Sequence, residues 1–135
     1  MDTRTLVDHD IIYGNDLVKA LDASRFEVDA AYWYYLSDPD RWRLIIASPI
    51  VDREGPRKAY DRILTVLEGM PSPKIAFDQV SVVSPRDHVV RSLSRAAKTG
   101  PETAGMRISR STIDGVFVED AYIYRPKRGR ALSRT

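Results

Sequence analysis

Two β-rich segments separated by a turn dominate the first third of the sequence. The segments FEVDAAYWYYL at 26–36 and RWRLIIASPIV at 41–51 are rich in the β-branched and aromatic residues that favour strands. Between them stands SDPD, whose residues favour turns. The sequence therefore predicts an antiparallel hairpin near the start of the chain.

A register for this hairpin divides its aromatic residues into two sets. One set is expected to face the core: Tyr32, Tyr34, Leu36, Trp42, Leu44 and Ile46. The other side then carries Trp33, Tyr35 and Arg43. This side is too polar to be a core face, and it is more aromatic than a surface without a binding role would be. We expect this second side to be open to solvent if the helices all lie on the first.

A second hairpin is predicted closer to the C-terminus. The strands MRISRSTI and VFVEDAYIYR flank Asp114-Gly115, a pair that two-residue type I′ turns favour because both positions need a positive φ. The turn sets the register of the two strands. It places Arg107 opposite Tyr122, on the side away from the expected core.

Three helices and one more strand complete the predicted elements. The first helix spans about 8–23, and the second runs from Pro56, at the favoured first position, to about Gly69. After the strand QVSVVS, Ser84 is expected to cap a third helix, with Asp87 completing a capping box.

The order α-ββ-α-β-α-ββ predicts an α+β fold. We expect a single two-layer domain over 1–124, built on a mixed sheet of about five strands with about three helices mainly on one face. Residues 125–135, RPKRGRALSRT, are expected to form a basic C-terminal tail.

Composition and missing motifs narrow the functional classes. The absence of cysteine excludes disulfides, thiolate metal sites and thiol nucleophiles. No apolar run approaches the roughly 20 residues of a membrane helix, and the acidic N-terminus does not resemble a secretory signal, so we expect a cytoplasmic protein without a membrane partner. Glycine-rich nucleotide-binding motifs and the serine nucleophile elbow are also missing, and no cofactor is expected.

The distribution of charge is uneven along the chain. The net charge is +2, but the tail at 125–135 holds five cationic residues and no acid, so the rest of the chain is net acidic. Most of that acidity lies in residues 1–40. A polarised molecule of this kind favours a charged partner or self-association.

The main functional hypothesis is a non-catalytic interaction module. It binds a protein partner or forms a homo-oligomer through an aromatic and arginine-bearing sheet face. Tyr, Trp and Arg are the residues enriched at the energetic centres of interfaces. The predicted partner-binding residues are Trp33, Tyr35, Arg43, Arg107 and Tyr122.

Nucleic acid is the alternative partner. Aromatic side chains of the same face would stack on bases, and cations would contact the phosphates. The residues proposed for this role are Arg91, Arg95, Arg125, Lys127, Arg128 and Arg130.

A metal-dependent phosphodiesterase or nuclease is the least favoured alternative. Its candidate residues are Asp8, His9, Asp10 and Asp29, because carboxylates suit Mg²⁺ or Mn²⁺. Adjacent residues on a helix point in different directions, however, and acids commonly occupy helix starts. We therefore expect no catalytic residue and no metal site, and we assign His88 to a surface or capping role.

Overall fold

A computed structural model of the chain describes residue 6 and residues 8–37, 40–98 and 105–125. Among them it contains four α-helices and one five-stranded mixed sheet. The elements in chain order are α1 (Asp8–Ala23), β1 (Ala30–Ser37), β2 (Asp40–Ala47), α2 (Ile50–Glu54), α3 (Pro56–Glu68), a 3₁₀ helix (Phe77–Gln79), β3 (Val80–Val83), α4 (His88–Lys98), β4 (Met106–Ile113) and β5 (Val116–Arg125). The α+β class with one mixed sheet is thus confirmed.

The strands lie in the order β3-β2-β1-β5-β4. β2 and β3 are parallel, and the other neighbouring pairs are antiparallel. The chain therefore crosses from β2 to β3 through α2 and α3. It then crosses from one edge of the sheet to the other through α4. Among the described residues, no helix combines the length and the apolar character that crossing a bilayer requires.

Two hydrophobic clusters lie on opposite faces of the sheet. On the first face, which we call the α1/α3 face, Leu17 and Leu21 of α1 and Ile63 of α3 pack with Trp33 and Leu44. On the second, the α4 face, the buried residues include Tyr32, Ala47, Val90, Leu93, Ala121 and Ile123. Two of the three long helices thus share one face, and α4 adds a layer on the other.

The register of the first hairpin differs from the predicted one. The ladder closes with Ser37 opposite Asp40, and Tyr35 lies opposite Trp42. Tyr35 and Trp42 therefore point to the same face, whereas the predicted register separated them. A shift of one residue moves every side chain of a strand to the other face, because the side-chain period of a strand is two.

The second hairpin has the predicted register. Ile113 lies opposite Val116, and Arg107 lies opposite Tyr122. The ladder is interrupted at Arg110, whose φ is 47°. Beyond this point the other set of alternate side chains faces α4. On the sheet side of Arg110 the residues that pack in the cluster beneath α4 include Ile108, Ala121 and Ile123. On the turn side they are Ile113, Val116 and Val118.

Two helix boundaries differ from the predicted ones. The segment after Ala47, predicted as strand, turns into the short helix α2. The third predicted helix, α4, begins at His88 rather than at Pro85. Its first N–H groups are bonded to Asp87, whose Oδ1 accepts from the backbone of Val89 at 2.9 Å and of Val90 at 3.2 Å. An aspartate at this position satisfies donors that the first helical turn leaves open.

Candidate interaction surface

Trp33 and Tyr35 do not lie on an open face. Their exposed fractions are 0% and 6%, because α1 covers this side of the sheet. The indole Nε1 of Trp33 donates to the hydroxyl of Tyr124 at 2.8 Å, and that hydroxyl donates to the carbonyl of Ile11 in α1. The expectation that these two aromatics lie on an open face is therefore wrong, and both belong to the core.

Arg107 and Tyr122 lie at the margin of the same α1/α3 face. The guanidinium carbon of Arg107 lies 5.5 Å from the centroid of the Trp42 ring. Its Nε and Nη2 donate to the two carboxylate oxygens of Asp120 at 2.6 and 2.8 Å. Tyr122 is half-buried, with its ring centroid 5.4 Å from that of Tyr124. Both residues are thus engaged in contacts within the fold.

The ion pair between Arg107 and Asp120 shifts both groups toward their charged forms. The hydrogen bonding that Arg107 donates to Asp120 is the main cause that raises the pKa of Arg107. Burial would raise the pKa of Asp120, but the hydrogen bonds from Arg107 and Ser109, together with the guanidinium charge, outweigh it and lower that pKa. The pair fixes β4 to β5 at neutral pH.

Arg43 lies on the opposite, α4 face. It stands opposite Tyr34, and the ring of Tyr34 packs against the buried cluster beneath α4. The structure therefore divides the predicted partner-binding set between two faces of the sheet. Tyr34 takes the place beside Arg43 that the sequence assigned to Trp33 and Tyr35.

A half-exposed surface surrounds Arg43 on this face. α4 packs mainly against β4 and β5, so that the side chains of β2 and β3 remain partly accessible. Ile45 is level with Ser81, and Ala47 is level with Val83 in the parallel ladder. We define the β2–β3 surface by its half-exposed residues Tyr34, Arg43, Ile45, Ser81 and Val83.

The guanidinium of Arg43 is held in one position. Its Nε donates to the hydroxyl of Ser81 at 2.6 Å, Nη1 to the carbonyl of Asp78 at 3.0 Å, and Nη2 to the carbonyl of Val80 at 2.9 Å. Three bonds in different directions leave the planar group little rotational freedom. The arginine is therefore already ordered before any partner arrives.

Tyr34 presents a neutral hydroxyl at neutral pH. Burial, with a smaller contribution from the charge of Asp87, raises its pKa above the ordinary tyrosine value. Its ring meets that of Tyr32 edge to face, with the centroids 6.0 Å apart. This packing fixes the ring position on the surface.

One backbone N–H of the edge strand next to this surface is bonded to a side chain. The backbone N–H of Val82 in β3 donates to the hydroxyl of Tyr60 in α3 at 3.1 Å. Edge strands whose N–H groups are taken up in this way are poor templates for pairing with another strand. The hydroxyl of Tyr60 therefore reduces the backbone donors that β3 offers to an added strand.

The predicted nucleic-acid residues are only partly described. Lys127, Arg128 and Arg130 lie outside the described residues. Arg125 belongs to β5 and not to a tail, and it donates to both carboxylate oxygens of Asp22 in α1, at 3.0 and 2.7 Å.

The two arginines of α4 differ from each other. Arg95 is ion-paired with Asp114, in the turn between β4 and β5, and the Nε of Arg95 donates to Oδ2 of Asp114 at 2.9 Å. This bond is the main cause that lowers the pKa of Asp114. Arg91 is exposed on the same helix.

The candidate metal ligands are not brought together. Within the described residues, no group of three or more histidine, aspartate or glutamate side chains is placed to hold a metal ion. His9 and Asp10 are 3.7 Å apart at the start of α1. Asp29 precedes β1, and its backbone N–H donates to the carbonyl of Ala47. The geometry gives the phosphodiesterase alternative no support.

His88 also has a structural position. Its Nε2 is 3.3 Å from the carbonyl oxygen of Asp114, next to the second turn. The exposed ring therefore contacts the turn that joins β4 to β5.

The chain was compared with known protein families, curated proteins and solved structures. No protein-family model, curated protein or solved structure matches the chain.

Proposed function

We propose that this protein is a non-catalytic interaction module that binds a protein partner, or a second copy of itself, through the β2–β3 surface. The observation that carries the proposal is the pairing of Tyr34 with an arginine held by three hydrogen bonds, Arg43, on a sheet face that α4 leaves half open.

The chemistry of the surface suits protein recognition. Tyrosine and arginine are enriched at interface hot spots, and Ile45 and Val83 add apolar area beside them. Side chains that are ordered in the free protein lose little entropy on binding. A partner that covers this surface would therefore gain burial without having to order it first.

The test is a charge placed in the centre of the surface. We expect Ile45→Glu to abolish association, because it puts a carboxylate where a partner would bury an apolar side chain. Ile45 is partly exposed at the margin of the cluster beneath α4, so we expect the variant to fold, and thermal unfolding of the variant checks this. The matched control is Phe117→Glu, at an apolar residue that is 60% exposed on the second hairpin.

Two measurements compare association of the wild type and the two variants. Sedimentation velocity over a range of protein concentrations follows self-association, and quantitative affinity capture compares the partners recovered by wild type and by the two variants. The proposal predicts an associated species that Phe117→Glu retains and Ile45→Glu loses. A chain that stays monomeric and recovers no partner in an Ile45-dependent way would disprove it.

A further inference from the structure

A second feature, remote from the β2–β3 surface, is a groove of about 530 Å³ between the C-terminal halves of α1 and α3. Ala20 and Ala23 of α1 face Val66 of α3 and Gly69, the residue after α3, across it. Ala20, Ala23 and Gly69 contribute little side-chain volume there. The space falls within the roughly 300–1,000 Å³ of small-molecule sites.

The interior of the groove is apolar. Phe26, which is 2% exposed in the protein, contributes its ring, and Met70 contributes its side chain. Polar atoms come from Ser24 and Thr65, and the hydroxyl of Thr65 already donates to the carbonyl of Asp61 at 3.1 Å. The groove thus offers an apolar ligand more burial than hydrogen bonding.

Of the described residues that line the groove, Arg62 alone is charged. Its guanidinium carbon lies 5.6 Å from the centroid of the Phe26 ring. Its Nη1 forms an ion pair with the carboxylate of Glu54 at 3.7 Å, which is beyond hydrogen-bond distance. Among the described residues the guanidinium donates no hydrogen bond, so a ligand carboxylate would compete only with this looser ion pair to Glu54.

We propose that this groove binds an amphipathic carboxylate, with the carboxylate on Arg62 and the apolar chain between α1 and α3. Arginine donors match a carboxylate in a bidentate geometry. Arg62 and Gly69 are separated by about 10 Å along the axis of α3, given a rise of about 1.5 Å per residue. The C-terminal ends of both helices carry partial negative charge, which disfavours an anion there and places the apolar chain at that end.

The first experiment titrates the full chain with decanoate by isothermal calorimetry, below the concentrations at which decanoate forms micelles. We expect saturable binding of one decanoate per chain. Decyltrimethylammonium, which has the same apolar chain and a cationic head, should bind at least about tenfold more weakly, because a charge-assisted hydrogen bond contributes a factor of this size.

Two substitutions on α3 separate the charge from the rest of the fold. Arg62→Gln should weaken decanoate binding about tenfold and leave decyltrimethylammonium binding no weaker. Arg57→Gln, at an exposed residue of the first turn of the same helix, is the matched control and should bind as wild type does. Equal decanoate affinity in wild type and Arg62→Gln would overturn the assignment of the carboxylate.

A third variant adds a side chain at Gly69, in the lining of the groove. Gly69 has a φ of −86°, and a Cβ added there would meet only ordinary contacts, the nearest being the carbonyl oxygen of Val66 at 3.6 Å. The backbone therefore accepts a Cβ at this position, and we expect Gly69→Leu to stay folded, as thermal unfolding checks, and to abolish decanoate binding. Absence of saturable binding to wild type, or unchanged binding to folded Gly69→Leu, would show that the groove does not bind the probe.

Discussion

At the scale of single residues, Gly14 controls how closely α1 approaches the sheet. A Cβ at this position would lie 2.9 Å from Nε1 of Trp33 and closer still to the hydroxyl of Tyr124. These two groups are the ones that hydrogen-bond to each other beneath α1. The glycine therefore allows the indole, the phenol and the helix backbone to meet at one point.

We predict that Gly14→Ala destabilises the protein by about 1–3 kcal/mol, the usual cost of forcing extra atoms into a filled site. Helix propensity acts in the opposite direction, since alanine is favoured over glycine by about 1 kcal/mol in a helix interior. Urea denaturation measures the difference. Gly69→Ala is the control, because its added Cβ meets only ordinary contacts. Equal stability of both variants would contradict this account of Gly14.

At the scale of elements, the second hairpin is joined across its strands by the ion pair of Arg107 and Asp120. The guanidinium stands on the Trp42 ring and donates to both carboxylate oxygens. Such bidentate geometry is the case in which a partly exposed ion pair contributes measurably. The pair therefore links β4, β5 and the indole of β2.

We predict that Asp120→Asn destabilises the protein by about 1 kcal/mol at neutral pH. The pKa of Asp120 in the folded protein lies below its ordinary value of 3.8, so its contribution is present above pH 3.8 and is lost as the pH falls through the folded pKa. The stability difference from wild type should accordingly shrink in acid, as urea denaturation at several pH values would measure. Glu119→Gln, at the neighbouring exposed acid, is the control. A difference that does not change with pH would contradict the prediction.

The two hairpins show why only one register could be predicted. Asp114-Gly115 specifies a two-residue turn, and a turn of known length fixes which side chains share a face. The run SDPD marks a turn but leaves the length of the turn open. If the pairing register shifts by one residue, Trp33 and Tyr35 take the sheet face that Tyr32 and Tyr34 were expected to occupy relative to β2.

Other features left no usable signal in the sequence. The apolar stripe of α4 predicts a buried side but not which face of the sheet it covers, because a helix between β3 and β4 can cross on either one. The positive φ of Arg110 also cannot be predicted from the sequence, since arginine rarely adopts that conformation. The fold class could therefore be predicted from the order of the elements. The candidate site could not, because it depends on the length of the first turn and on which face of the sheet α4 covers.

At the scale of the whole molecule, the sheet separates an acidic helix from a basic one. α1 carries four aspartates and one lysine, and α4 carries two arginines, one lysine and no acid. The two helices pack on opposite faces. The β2–β3 surface lies on the basic side, so a partner of the kind proposed above should present acidic groups around an apolar centre.

This polarity also constrains self-association. Two β2–β3 surfaces placed face to face would bring two basic helices together, which costs free energy. The acidic side of a second copy, around α1, is the complementary surface. Copies would therefore associate head to tail, an arrangement that closes into a ring or continues as a filament.

We predict that association through the β2–β3 surface is driven in part by the charge of α4. Reducing the salt concentration from about 0.15 M to about 0.02 M lengthens the screening distance, and should speed association about tenfold, whether the partner is another protein or a second copy. Arg91→Glu should remove most of this gain, whereas Arg57→Glu, an exposed change on the opposite side, should retain it. Biolayer interferometry with immobilised chain measures the rates. Rates that depend on neither salt nor Arg91 would show that the basic helix does not guide the partner, and would leave apolar burial at Ile45 and Val83 as the source of recognition.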